Sequence, residues 1–115
     1  AWHIVVSQRE IVGKTGLAYD AARKADPEPA RAAGMHSAYV DAAKALASAV
    51  EREWTDEVLR VKDQVYGQSW PRGLTLAIVL HHEIHHRGQM TVLMRQAGLR
   101  VPGVYGPSKD ERQDD

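Results

Sequence analysis

The stretch PRGLTLAIVLHHEIHHRGQMTVLMRQAG, residues 71 to 98, carries a long helical pattern and four of the six histidines of the chain. Pro71 suits the first turn of a helix because its missing N–H has no intrahelical partner to lose there. Gly98 suits the position just after a helix because glycine adopts left-handed backbone angles at little cost. The stretch therefore predicts a helix from Pro71 to about Ala97, closed by Gly98.

Two overlapping histidine pairs on this helix have the i, i+4 spacing that lets two imidazoles reach one ion. They are His81 with His85 and His82 with His86. At 100° per residue, His82 and His86 fall on the side of Glu83, together with most of the apolar residues: Leu76, Val79, Leu80, Met90, Leu93, Met94 and Ala97. We therefore predict that His82 and His86 face the protein interior and that His81 and His85 lie mainly at the rim or surface.

The rest of the chain is also predicted to be mostly helical. The Ala-rich stretch from about Pro29 to Glu53 has an amphipathic stripe, and Trp2 to roughly Arg23 is read as a helix with weak points at Gly13 and Gly16. Residues 57–67 fit either a helix tail or a short extended link. The expected fold is an all-α, antiparallel up-down helix bundle in residues 1–107, followed by a polar C-terminal tail, residues 108–115.

Composition narrows the classes of function. The 115 residues include fifteen basic and fifteen acidic side chains, so the zero net charge gives no reason to expect nucleic acid or an anionic membrane as a partner. The apolar run Leu74–Leu80 is too short to span a bilayer, and no signal-peptide pattern is seen, which predicts a cytoplasmic protein. Cysteine is absent from the chain, so a metal would need His and carboxylate ligands.

Residues 82 to 86, HEIHH, also match the H-E-x-x-H pattern of zinc metalloproteases, in which the glutamate is the general base. A protease of that kind needs a third ligand downstream, and after His86 the chain offers carboxylates only in its polar tail. His3 is a better third ligand, because helix bundles build metal sites from side chains on facing helices. His36 is predicted to be structural or exposed.

The segments AWHIVVSQ at the start and HHEIHHRGQMTVLMRQAGLRVPGVYGP near the end resemble the DinB/YfiT-like family of metal-binding four-helix bundles. The resemblance spans nearly the whole chain and is strongest from Trp70 to Pro107. It implies that one divalent ion is bound by His3, His82 and His86. Zinc and nickel are the first expectations, with iron, cobalt and manganese as alternatives, because three imidazoles suit several metals.

Two departures from the family pattern stand near the start of the chain. Related sequences usually carry a Glu shortly after the first His, where this chain has Ser7 and Gln8. Family members also begin with a whole helix before the His-bearing one, whereas His3 is the third residue here. We therefore expect a bundle that lacks its first helix and is completed by a separate segment or, more simply, by the partner in a homodimer.

Three neutral imidazoles leave a divalent ion with its full charge and an open position, as in catalytic sites. A thiol there would lose its proton at neutral pH, and water there could be activated with Glu83 as base. The family that this chain resembles includes low-molecular-weight thiol transferases, a thiol-dependent isomerase and stress-inducible proteins. It implies a metal-dependent transferase that joins a small thiol to an electrophile in detoxification or stress response. A metal-dependent hydrolase and a non-catalytic metal-binding bundle remain as alternatives, and Glu83 could instead pair with Arg87 at i+4.

Overall fold

The structure is a computed structural model that describes residues 1–112. The described residues form three α-helices, one two-stranded antiparallel sheet and two short 3₁₀ turns, which are α1 (Trp2–Val12), a turn (Gly13–Thr15), α2 (Ala32–Glu53), a turn (Val58–Arg60), β1 (Lys62–Val65), β2 (Gln68–Pro71) and α3 (Arg72–Gln96). Across this described range, none of the helices combines the length and the apolar composition that a membrane span needs.

The small sheet corrects the all-α prediction. Residues 57–67, whose structure the sequence left open, contribute a 3₁₀ turn and strand β1, which pairs with β2 from Lys62 opposite Pro71 to Val65 opposite Gln68. Tyr66 and Gly67 connect the strands with positive φ angles of 50° and 77°. Positive φ at both central residues is typical of the tight turns that match the twist of a hairpin.

Helix α1 is shorter than the predicted helix from Trp2 to Arg23. Thr15 Oγ1 donates a hydrogen bond to the carbonyl of Val12 at 2.7 Å and accepts one from the backbone N–H of Leu17 at 3.3 Å. Gly16 follows with φ 80°, a left-handed conformation that glycine reaches without strain. The chain therefore leaves the helical path here, and the prediction was wrong from about residue 13 onward.

The direction of the helices also differs in part from the predicted antiparallel order. Ile4, near the start of α1, lines the same groove as Met35, near the start of α2, and Val12 packs in the same core as Ala49, near the end of α2. The two helices therefore run parallel, because residues 16–31 return along the length of α1 before α2 begins. Helix α3 runs antiparallel to both. The four-helix arrangement implied by the resemblance stays a prediction.

Helix α1 is the central element of the fold. Its consecutive residues Ile4 to Gln8 are all buried, which requires cover on every side of the helix rather than along one stripe. It packs along both α2 and α3, whose backbones stay farther apart. At its C-terminal end lies the main apolar cluster, formed by Ile11, Val12, Leu17, Ala49 and Val79. Burial of this apolar surface holds α1 at a fixed height against α3.

Residues 108–112, part of the predicted polar tail, fold back on the C-terminal end of α3. Asp110 accepts hydrogen bonds from Arg95 at 2.8 Å and from the backbone N–H of Val101 at 2.9 Å. The hydrogen bond from Arg95 is the main reason why the pKa of Asp110 is lowered. The remaining part of the predicted tail, residues 113–115, lies outside the described residues.

Arg72 connects the hairpin, α3 and the end of α1. Its Nε and Nη2 donate to the two carboxylate oxygens of Asp63 at 2.9 and 3.2 Å, and Nη2 also donates to the carbonyl of Thr15 at 3.1 Å. The guanidinium lies 5.4 Å from the ring centre of Trp54. The Arg72 and Asp63 side chains are 21% and 16% exposed, so water screens this ion pair only in part.

We predict that Arg72→Ala lowers the free energy of unfolding by about 2–3 kcal/mol, because it leaves the carboxylate of Asp63 without its partner. Urea denaturation measures the change. The matched control is Arg52→Ala, which removes an ion pair to Glu53 whose side chains are 62% and 53% exposed. Such exposed pairs contribute about 1 kcal/mol or less. Similar losses in the two variants would contradict the structural role assigned to Arg72.

Candidate metal centre

Three imidazoles meet where the first turn of α1 crosses the middle of α3. His82 Nε2 lies 3.1 Å from His3 Nε2 and 3.1 Å from His86 Nε2. The ring centres of His3 and His86 are 4.7 Å apart. One nitrogen from each ring lies within 4.8 Å of the others, which is compact enough for all three to share one ion.

The local folding of both helices explains this meeting. His82 and His86 are one turn apart on α3, so their side chains point the same way. His3 belongs to the other helix, and the buried run from Ile4 to Gln8 fixes its distance from α3. His82 and His86 are partly buried, while His3 is exposed. The cluster therefore lies at the protein surface with one side open to solvent.

The spacing of the three nitrogens fits a metal ion. Zinc binds imidazole nitrogens at about 2.0–2.1 Å, and tetrahedral angles then place two such nitrogens about 3.3–3.4 Å apart. The distances of 3.1 Å from His82 to each neighbour are within a few tenths of an ångström of that value. Small side-chain movements would bring all three nitrogens to bonding distance of a common centre.

The hydrogen bonds on the far side of two of the rings, His82 and His86, point to the same conclusion. His86 Nδ1 lies 2.7 Å from Gln89 Oε1, and because an amide oxygen can only accept, this Nδ1 carries the proton. Nε2 of His86 then has a free lone pair directed into the cluster. Partners of this kind commonly orient histidines that bind metals.

His82 is held in a similar way by Ser7. The Ser7 hydroxyl donates its proton to the carbonyl of Ile4 at 3.2 Å, which leaves its oxygen as an acceptor for His82 Nδ1 at 3.4 Å. In the tautomer in which His82 Nδ1 donates to Ser7, His82 Nε2 is unprotonated too, and it lies 3.1 Å from His86 Nε2. With both nitrogens in that form, their lone pairs can share one cation, so the donor set fits a bound metal.

The protonation of His82 also suits a ligand. Burial, followed by the nearby charges of His86 and His3, lowers the pKa of His82 from its ordinary value near 6.5. A histidine with a lowered pKa is neutral at physiological pH, and metals bind the neutral imidazole. The proton therefore competes weakly with a metal for this nitrogen near pH 7.

His81 and His85 do not join the cluster. Both are exposed on α3, although the ring of His85 lies 5.1 Å from that of His86. His36 is also exposed and lies on α2, outside the cluster of the three imidazoles. Of the residues that the sequence proposed as ligands, the structure thus brings together His3, His82 and His86.

Glu83, the proposed catalytic base, is directed away from the three imidazoles. Its Oε1 accepts a hydrogen bond of 2.6 Å from the Tyr39 hydroxyl on α2, and Arg87 Nη1 lies 3.7 Å from the same oxygen. Burial, together with the hydrogen bond to Glu83, raises the pKa of Tyr39 to about 12. The carboxylate is thus engaged between α2 and α3 rather than placed beside the candidate ion.

Ser7 and Tyr39 are contacts that the sequence did not predict. In the sequence Ser7 stands out only as a departure from the family pattern, and Tyr39 lies within the amphipathic stretch from Pro29 to Glu53. A polar residue one turn after His3 was the available signal for Ser7, since it lies on the face that meets α3. Gln89, three residues after His86 on the same helix, contacts the ring of His86.

The fold and the site define a small, mainly helical protein with three histidines grouped between two antiparallel helices. The chain belongs to the DinB family, because the DinB family model matches residues 1–115, the whole chain. Membership rests on this match and on the two relatives described next.

One relative is the uncharacterized protein YrdA of Bacillus subtilis (strain 168), which is 43% identical over 111 residues. The match covers 96% of this chain and 66% of that protein, so the chain spans about two thirds of its length. The crystal structure of a DinB-like protein from Bacillus cereus ATCC 10987 is also similar, with 42% identity and a TM-score of 0.85. That similarity covers 90% of this chain and 69% of the Bacillus cereus chain.

Proposed function

We propose that this DinB-family protein binds one divalent metal ion through His3, His82 and His86 and joins a low-molecular-weight thiol to an electrophile. The observation that carries the proposal is the convergence of three Nε2 atoms, with the rings of His82 and His86 held from behind by Ser7 and Gln89. When bound, the ion would supply the positive charge that lowers the pKa of a small ligand beside it. Zinc or nickel is the first candidate.

The chain's own residues hold and orient the site. Ser7 and Gln89 fix two imidazoles in the tautomer that presents Nε2, which reduces the reorganisation needed on metal binding. The exposed position of His3 leaves the cluster open on one side to a small molecule. The 115 residues contain no cysteine, so the thiol must come from outside them.

The position of Glu83 favours a thiol over water as the nucleophile. A hydrolase of the H-E-x-x-H type uses this glutamate to take a proton from water. Here the carboxylate already accepts from Tyr39 and lies near Arg87, on the side of α3 that faces α2. A thiol needs no such base, because its pKa near 8.5 falls readily next to a cation.

The test is a set of transfer assays with the metal-loaded protein. Glutathione, cysteine and other small thiols are each combined with a chromogenic aryl halide, with zinc or nickel present or removed by a chelator. We expect a rate that requires both thiol and metal and that disappears in His86→Ala but persists in His85→Ala. Stoichiometric metal without turnover of any thiol would favour the non-catalytic bundle instead.

Replacing Glu83 separates the two enzyme classes. We predict that Glu83→Gln changes the metal-dependent thiol transfer rate by less than about threefold, because general base catalysis, which contributes about 10²–10⁴-fold where it operates, is not assigned to this residue. The Gln side chain keeps an oxygen that can accept from Tyr39, so the fold is retained. Thiol-independent peptide cleavage that is lost in Glu83→Gln would instead establish a hydrolase.

A further inference from the structure

Glu10 is a charged side chain beside the three-histidine cluster that the proposed function leaves without a role. It lies seven residues after His3 and three after Ser7, so at 100° per residue the three side chains fall within about 60° of one another on α1. Ser7 contacts His82, which places this face of α1 against the middle of α3. Glu10 is exposed, like His3, so it lies on the side of the cluster that is open to solvent.

The Glu10 side chain is also close to the cluster along the helix. At 1.5 Å per residue, its Cα lies about 4.5 Å further along α1 than that of Ser7. Helical side chains lean toward the N-terminus of their helix, which directs Glu10 back toward Ser7 and His3. Burial and the neighbouring histidines lower the pKa of His82, and the negative charge of Glu10 opposes them. The carboxylate is therefore near enough to act on a small molecule beside the imidazoles.

The charge of Glu10 is not neutralised by a neighbouring side chain. Among the described residues, no basic group lies within ion-pair distance of its carboxylate. Lys14, one turn further along α1, instead places its Nζ 5.8 Å from the ring centre of Tyr66. Glu83 differs from Glu10 in this respect, because its carboxylate already accepts a hydrogen bond from Tyr39. Glu10 therefore presents an uncompensated negative charge beside the candidate metal centre.

The carboxylate of Glu10 stands outside the group of possible metal ligands. In the part of the chain that the structure describes, the side chains close enough to share one ion are His3, His82 and His86. A carboxylate just outside such a group can act on a second, charged group of the molecule that approaches the cluster. The sign of its charge favours a cationic group at that position and disfavours an anionic one.

We propose that Glu10 selects an aminothiol, a small thiol that carries an ammonium group two carbon atoms from its sulfur. This inference rests on the proposed function, because it assigns the class of thiol that reacts at the cluster. The sulfur lies on the open side of the three imidazoles, and the ammonium group points along the seam between α1 and α3 toward Glu10. A carboxylate at the same place on the thiol would be repelled.

Three thiols of similar size test this selection: cysteamine, 2-mercaptoethanol and mercaptoacetate, which carry a positive, a neutral and a negative group. Each is titrated into the protein loaded with cobalt(II), whose near-ultraviolet absorption with a thiolate reports binding without turnover. Glu10→Gln should weaken cysteamine binding by about three- to fivefold, as expected for loss of an exposed ion pair. It should leave 2-mercaptoethanol unchanged and strengthen mercaptoacetate. Comparing each thiol between variants cancels the different pKa values of the three thiols.

Two further measurements separate charge from shape. Glu10→Lys should reverse the preference of the protein from cysteamine to mercaptoacetate, and about 1 M salt should weaken either preference, because salt screens exposed charges. The matched control is Asp41→Asn, which removes one negative charge from an exposed position on α2 and should change none of the three affinities. Equal effects of Glu10→Gln and Asp41→Asn, or the same change for all three thiols in Glu10→Gln, would overturn the role of Glu10.

The same experiment distinguishes failure of this inference from failure of the proposed function. Protein that binds no stoichiometric cobalt, or cobalt-loaded protein that binds none of the three thiols, would overturn both. Thiol binding that is insensitive to Glu10→Gln would overturn the inference alone. In the transfer assay, Glu10→Gln should raise the KM for cysteamine by a similar factor with little change in kcat. Charge-dependent thiol binding without transfer to any electrophile would overturn the transferase and leave the selectivity in place.

Discussion

Replacing either His82 or His86 with alanine is expected to abolish stoichiometric metal binding, whereas His81→Ala and His85→Ala should retain it. Each of the first two substitutions removes one of the three converging nitrogens. We expect the affinity for zinc or nickel to fall by roughly 100-fold or more, since loss of even a residue that only orients a ligand costs about 10–100-fold. His81 and His85 are exposed and stand outside the cluster.

Metal analysis of the purified variants and calorimetric titration with zinc and nickel would measure this difference. His81 and His85 are matched controls, because each precedes one of the proposed ligands and belongs to a pair with the same i, i+4 spacing. If replacing His81 or His85 lowered metal binding as much as replacing His82 or His86, α3 would have to present a different face to α1. A metal held by His81 and His85 would require the ligand set to be assigned again.

The three-histidine cluster could be predicted from the sequence because its geometry depends on few quantities. Helical periodicity alone separates His82 and His86 from His81 and His85, since neighbouring residues differ by 100° in direction. To predict His3 as the third ligand, one must also know that its helix lies beside α3 at the right height. The family resemblance supplied that expectation. Whether a metal is bound there stays a prediction.

The contacts behind the imidazoles were harder to predict. Ser7 reaches His82 at 3.4 Å only because the buried face of α1 is pressed against α3. The bond between Tyr39 and Glu83 requires α2 to pass at one particular height on the other side. Such distances between elements arise from packing of the whole core, and a pattern within one helix does not contain them.

The fold shows the same division between local and non-local information. The ends of α3 lie within a residue of those predicted, because Pro71 and Gly98 act on the backbone next to them. The hairpin was missed because Tyr66 takes a positive φ that tyrosine rarely adopts. The parallel course of α1 and α2 depends on the return path of residues 16–31, and helical periodicity gives no information about such a path.

A metal ion at the cluster should also stabilise the fold strongly. Binding to the folded state alone raises the free energy of unfolding by about 4 kcal/mol when the free ion is at about 1,000 times its Kd. The first turn of a helix tends to fray, and the ion would connect the first turn of α1 to the middle of α3. It would also hold together the Nε2 atoms of His82 and His86, which are 3.1 Å apart.

Urea denaturation at pH 7.5, with zinc or with a chelator, measures this stabilisation. At that pH His82 is neutral, since its pKa is lowered from its ordinary value, so proton competition is small. The zinc-dependent rise in the free energy of unfolding should vanish in His82→Ala and persist in His81→Ala. Zinc stabilises the folded state only by binding to it, and only the first variant loses a ligand. Hydrogen exchange adds a local measure, because zinc should protect the backbone amides of Ile4 to Gln8 more than those of the β1–β2 hairpin. An equal rise in the free energy of unfolding with zinc in His82→Ala and His81→Ala would show that zinc acts at another site.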